Sequence, residues 1–158
     1  FGIVPNTLRE AVRAVQPGQM RGRRFQHQGI TVLDDCYNSN PEAARAMLEL
    51  LEATSARRRA AVLGEMLELG RFSEELHREL GREVVAHGVD LLVAVHGAAR
   101  YMVEEAVRAG LPPDRVFFFD DPAEAGGLLH GRLEEGDAVL FKGSRKVRME
   151  RALEKFME

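Results

Sequence analysis

Five short apolar runs constrain this chain more than any other feature. They read Ile30-Thr31-Val32-Leu33, Ala60-Ala61-Val62-Leu63, Leu91-Leu92-Val93-Ala94-Val95, Val116-Phe117-Phe118-Phe119 and Asp137-Ala138-Val139-Leu140-Phe141. The four after residue 33 have nearly unbroken apolar cores, the pattern of strands covered on both faces. A sixth strand is expected over residues 23–28. It lies close enough to the first run for a hairpin, although the turn between them has no diagnostic composition.

Helical spacing fills the gaps between the runs. Thr7-x-x-Glu10 behind Pro5 predicts a short helix ended by Gln16-Pro17-Gly18. Asn40 can cap a helix whose first position is Pro41, with Ala44, Met47, Leu48 and Leu51 as its buried stripe. Residues 73–87 place Leu76, Leu80, Val84 and His87 on one side, with Glu74 and Glu75 suited to the first turn. Further helices are expected over 98–109 and 122–129. A terminal helix launched by Ser144 or its neighbours should run through Met149, Leu153 and Phe156. The order predicts one α/β domain in three layers: a mostly parallel sheet of about six strands with helices on both faces.

The chain has 158 residues and a net charge of −3, which argues against a general nucleic-acid binder. Its one cysteine, Cys36, excludes an internal disulfide framework and a cysteine-rich zinc site. No apolar run approaches the roughly 18 residues of a membrane span, and the first residues do not resemble a signal peptide. Since the chain opens at Phe1 without a methionine, it is expected to be a fragment or a processed product.

Ligands of open α/β sheets bind beyond the carboxyl ends of the strands, and three polar junctions fall there. In the first, residues 34–41, Asp34 or Asp35 can accept from ribose hydroxyls. Asn38 and Asn40 offer amide donors and acceptors, and Tyr37 can stack on a base or bridge an interface. The structural alternative is that Asn40 only caps, Asp34 fixes a turn and Tyr37 covers the sheet edge. Cys36 reads as a small filler, because no histidine is near it in sequence. The second junction, residues 64–70, reads mainly as packing by Met66, Leu67 and Leu69. Its Glu65 and Glu68 can face solvent, a cation or a neighbouring domain.

In the third, residues 142–146, Gly143 admits close approach and Ser144 can cap a helix whose amides would bind an anion. Lys142 and Arg145 can meet a phosphate or carboxylate there. The alternative is an ordinary serine cap between exposed basic residues. Arg21, Arg23 and Arg24 can neutralise polyphosphate or simply face solvent, whereas Arg57, Arg58 and Arg59 are expected in solvent at the far end of the sheet. The five histidines are scattered, so His77 reads as packed or solvent-facing and no metal site is expected. No G-x-x-x-x-G-K-[ST] loop is present, so a triphosphate would need its cradle elsewhere.

"VLDDCYNSNPEA" from Val32, "VLGEMLELG" from Val62, His77 followed by Gly81, and "VLFKGSR" from Val139 together resemble the carboxyl-terminal domain of the Mur ligases. The likeness is to the branch that adds D-alanyl-D-alanine to UDP-N-acetylmuramoyl-tripeptide. It covers essentially the whole chain. Cys36 stands where these proteins often carry serine, and Ser39 where alanine is common.

The resemblance implies a Rossmann-like domain, residues 21–158, approached through residues 1–20 from a central domain outside this chain. It also implies a cytoplasmic, ATP-dependent enzyme of peptidoglycan and cell-wall synthesis, linked to cell shape and division. An amino-terminal domain would bind the UDP-sugar peptide. The central domain would hold the phosphate loop, a carbamylated lysine and Mg2+. By similarity, Asp34 or Asp35, Tyr37, Asn38 and Asn40 are candidates for nucleotide contacts, with Arg23 approaching the phosphates. Lys142, Ser144 and Arg145 are candidates for gripping the dipeptide carboxylate. The isolated domain would have no useful ligase activity. The alternatives are another Mur-type or folylpolyglutamate-type amide ligase, or a non-catalytic Rossmann-like module that binds a nucleotide or a protein.

Overall fold

The computed structural model describes residues 22–158, so the helix expected near Thr7, the approach segment 1–20 and Arg21 lie outside the described residues. Strands β1 (Arg23–His27) and β2 (Ile30–Asp35) form an antiparallel hairpin in which His27 pairs with Ile30. Gln28 and Gly29 both adopt positive φ, 49° and 77°, as in the primed two-residue turns that match strand twist. Glutamine at the first turn position, where asparagine or aspartate is usual, hides that turn from the sequence.

The chain continues through α1 (Pro41–Ala53), β3 (Arg59–Gly64), α2 (Ser73–Ala86), β4 (Leu91–Val95) and α3 (Arg100–Arg108). It ends with β5 (Val116–Phe119), α4 (Pro122–Leu129), β6 (Ala138–Lys142) and α5 (Glu150–Met157). The six strands lie in the order β1-β2-β6-β3-β4-β5, and every pairing beyond the hairpin is parallel. This is the mostly parallel, six-stranded α/β sheet expected from the sequence.

Crossover handedness then distributes the helices. The chain steps outward from β3 to β4 to β5 and returns to insert β6 between β2 and β3. With right-handed crossovers, outward and returning steps put their helices on opposite faces. Leu48, Leu51, Leu80, Val84 and Met102 of α1 to α3 pack with Leu63 and Leu140 on one face. Leu129, Leu153 and Phe156 of α4 and α5 pack with Val62, Val139 and Phe141 on the other. Neighbouring residues of one strand therefore enter different cores, which is why the strands read as unbroken apolar runs.

Three local expectations are corrected. The terminal α-helix begins at Glu150, not at Ser144. Residues Arg145–Val147 make a single 3-10 turn, and Arg148, at φ 59°, interrupts the chain before α5. His87, expected on the buried stripe, is half-buried and meets Glu52 Oε2 at 2.6 Å through Nδ1. His77 takes the buried place.

The arginine run at residues 57–59 is also not wholly in solvent. Arg58 grips buried Asp137 with two bonds, at 2.6 and 3.2 Å. Arg59 donates to Leu51 O at 3.1 Å and Thr54 O at 3.0 Å, closing the carboxyl end of α1.

Helices α4 and α5 meet at Gly126, where an added methyl would overlap the Ala152 carbonyl oxygen. Backbone cannot retreat as a flexible side chain can. Gly126→Ala is expected to destabilise the fold by about 1–3 kcal/mol, seen as a lower urea midpoint with an unchanged slope.

Candidate functional site

Strand β6 brings the three polar junctions together. Asp35 of β2 pairs with Lys142 of β6, and Leu63 of β3 flanks Lys142 on the other side. All three strands are parallel, so their carboxyl ends open side by side. The chain leaves β2 and β3 toward one face and β6 toward the other, creating the crevice at which ligands of such sheets bind.

The junction loops are tied to one another. Lys142 is 1% exposed, and its ammonium donates to Asp35 Oδ2 at 2.5 Å and to Asn38 O at 2.9 Å. A buried ammonium without such partners would cost several kcal/mol. Ser144 Oγ donates to Glu65 O at 2.6 Å, joining the β6 loop to the β3 loop. Glu65 Oε1 accepts from Ala98 N at 3.0 Å, extending the ties to the loop after β4. His77 supports the same region from α2: its Nε2 accepts from Met66 N at 2.9 Å.

The candidate residues separate into distinct environments. Asp34 is buried, accepts from Cys36 N at 3.4 Å, and lies 3.2 Å from the Arg23 guanidinium. Arg23 also covers the Phe25 ring at 4.8 Å. Asn40 is engaged as the cap of α1, accepting from Ala43 N at 2.8 Å. Asp35, Tyr37, Asn38, Ala43 and Lys142 line an open hollow of about 300 Å³, with Tyr37 41% exposed. Asn38 also borders a second cavity of about 150 Å³, with Ser39, Leu67, Glu68, Ser144, Arg145 and Lys146. That cavity draws on all three junctions and carries a carboxylate from one loop and two cations from another.

Ser144 does not cap a helix, because its hydroxyl is directed to Glu65 O. No α-helix amino terminus stands there to bind an anion. Gly143 makes room for the Met149 side chain, which a β-carbon would overlap. Sequence reasoning did not single out Ser39 or Lys146, and it treated Leu67 as packing; strand adjacency supplies what was missing.

The larger cavity at the opposite end of the sheet, about 340 Å³, is lined by Arg58, Arg59, Arg115 and Arg132 among others. Arg58 and Arg59 are held as described, and Arg132 stacks on Phe117 at 4.5 Å. Among the described residues there is no group of three or more His, Cys, Asp or Glu side chains placed to hold a metal ion. No helix among them is long and apolar enough to cross a membrane. Cys36 is buried with Sγ 3.7 Å from Phe141 O, and burial, followed by the charge of Asp34, pushes its thiol well above the ordinary range.

The family model described as "Mur ligase, glutamate ligase domain" matches residues 20–145. The chain belongs to the Mur ligase family. It is 39% identical over 156 residues to the UDP-N-acetylmuramoyl-tripeptide–D-alanyl-D-alanine ligase of Mycobacterium leprae, covering 87% of this chain and 30% of that protein. The fold superposes on MurF from Acinetobacter baumannii with a TM-score of 0.82 at 29% identity, covering 99% of this chain and 34% of that one. MurF from Thermotoga maritima, solved in complex with ADP, gives 0.76 at 31% identity, with 91% and 32% covered. The chain spans about a third of the length of the Mur ligase relatives it matches.

Two outcomes follow from these geometries. Removing one member of a buried ion pair leaves the other charge uncompensated, so Lys142→Ala should lower unfolding stability by about 3 kcal/mol, measured by urea titration. His77 is buried, which lowers its proton affinity from the ordinary 6.5, while the Ser73 carbonyl and Glu65 act in the opposite sense. The unfolded chain therefore binds a proton near pH 6.5 that the folded chain refuses. The contribution is intact above pH 6.5 and lost as the pH falls from there through the lower folded value. Urea midpoints taken between pH 7.5 and 5 should show this acid slope, at most about 1.4 kcal/mol per pH unit, and lack it in His77→Gln.

Proposed function

We propose that the chain is the carboxyl-terminal domain of the ATP-dependent ligase that joins D-alanyl-D-alanine to UDP-N-acetylmuramoyl-tripeptide. Residues 21–158 would form the domain, and residues 1–20 its approach from a central domain. The supporting observation is the cavity of about 150 Å³ shared by the three junction loops, with Glu68 on one loop and Arg145 and Lys146 on another. A small zwitterion carries the same two charges at its ends. Arg145 and Lys146 would receive the dipeptide carboxylate, and Glu68 its amino end.

The neighbouring hollow suits part of a nucleotide. Tyr37 offers an exposed ring for a base, and Asn38 offers amide donors and acceptors beside it. Lys142 and Asp35 line the hollow while bonded to each other, whereas Asp34 and Asn40, held by internal bonds, line neither space. Arg23 remains half-exposed at the margin, where it can meet phosphate. Asn38 borders both spaces and would keep nucleotide and dipeptide in fixed relation.

In the reaction, the γ-phosphoryl group of ATP passes to the tripeptide's terminal carboxylate and ADP leaves. The dipeptide's ammonium group loses a proton to solvent, the free amine attacks the acyl phosphate, and the amide forms with loss of a second proton as inorganic phosphate departs. Magnesium and the phosphate loop belong to the central domain. This domain's part is to hold the amine in line and shield the reacting atoms from water. Alone it should turn over no substrate. The enzyme would act in the cytoplasm in cell-wall synthesis.

The full-length protein should form ADP from ATP and UDP-tripeptide only when D-alanyl-D-alanine is added. Arg145→Ala and Glu68→Gln should each raise the dipeptide KM by about 10- to 100-fold, the equivalent of losing one charge-assisted contact, with the ATP KM within about twofold. Absence of dipeptide dependence in folded enzyme would refute the assignment. Equal rises for ATP and dipeptide would refute the cavity's role.

A further inference from the structure

The loop over residues 64–70 supplies Leu67 and Glu68 to the cavity, and it is held largely by bonds to other elements rather than by bonds within itself. Glu68 and Gly70 both lie at positive φ, 62° and 56°. The backbone bonds that bracket the loop are Glu65 N to Val95 O at 2.9 Å and Phe72 N to Leu69 O at 3.2 Å. Between them, Met66 N is held by a side chain of another element. That side chain is His77, in the first half of α2 and fully buried.

Both ring nitrogens of His77 are engaged. Nε2 lies 2.9 Å from Met66 N, and Nδ1 lies 2.6 Å from Ser73 O. A backbone amide can only donate and a carbonyl can only accept. The ring is therefore neutral, with its proton on Nδ1. Enclosed in this way, it has no free nitrogen for a substrate. Its reach is mechanical: Met66 is itself buried, and its amide is one residue from Leu67 and two from Glu68. Glu65, on the same loop, acts on the ring through its charge.

We propose that His77 is a positioning residue that, by accepting from the Met66 amide, sets the Leu67 and Glu68 wall and thereby the cavity's affinity for the incoming amine substrate. This role rests on the assignment of that cavity to the dipeptide. Without the bond, Met66 N–H loses its partner, and the two left-handed residues beyond it are free to relax.

The test compares His77→Leu with His77→Gln in the full-length ligase. Leucine fills the space without an acceptor; glutamine keeps an acceptor near the Nε2 position. His77→Leu should raise the D-alanyl-D-alanine KM at least about tenfold, with the ATP KM within about twofold and kcat within about threefold. His77→Gln should return the dipeptide KM to within about threefold of the parent. An unchanged dipeptide KM in His77→Leu, or a parallel rise for ATP, would overturn the proposal.

Amide hydrogen exchange gives a readout independent of substrate. Residues 64–70 should exchange about tenfold faster in His77→Leu than in the parent or His77→Gln, with β3 protection retained. Unaltered exchange in the loop would also overturn it. If the parent enzyme shows no dependence on D-alanyl-D-alanine, the substrate assignment fails by itself and exchange still decides the role of His77. Should His77→Leu not fold, His77→Asn, too short to reach Met66 N, serves in its place.

Discussion

Strand β6 is covered on both faces, and four of its five residues are apolar. The fifth is Lys142, which emerges between β2 and β3 with Asp35 and Asn38 as its hydrogen-bond partners. That enclosed ammonium determines how the crevice is built. It draws the β2 loop against the β6 loop, and Ser144 then draws the β6 loop against the β3 loop. The loops at the sheet's carboxyl edge are consequently arranged before any ligand arrives, which lowers the ordering cost of binding.

Much of the architecture was legible because it follows from periodicity. Strands apolar on both faces need a packed layer on each side, which the helical segments between them supply, and Asn40-Pro41 announced the start of α1 in ordinary capping chemistry. The hairpin turn was not legible, since Gln28 accepts a backbone conformation that the sequence does not advertise. The start of α5 was misread for a related reason. Ser144 has the composition of a cap, but a hydroxyl takes the nearest good acceptor, and strand packing places the Glu65 carbonyl there.

The candidate site was legible as three junctions and illegible as a surface. Sequence order put the three junctions at one end of the sheet but did not show β6 returning between β2 and β3, so which of their side chains meet, Leu67, Glu68 and Lys146 with Asn38, was not legible. Charge type also misled. Lys142 and Arg145 look alike in a string of residues, whereas one is a buried brace and the other stands exposed at the cavity. Arg58 and Arg59 show the same lesson at the far end, where guanidinium groups hold a carboxylate and the end of a helix.

The sealed setting of Cys36 bears on how this domain meets oxidants. Peroxides and disulfides react with thiolate, and a sulfur kept protonated under the sheet edge offers them neither the anion nor a path of approach. The only sulfhydryl in the chain thus behaves as a small apolar plug. Oxidative damage to the described part of this domain would fall first on methionine side chains nearer the surface, leaving the crevice's hydrogen-bonded frame chemically untouched.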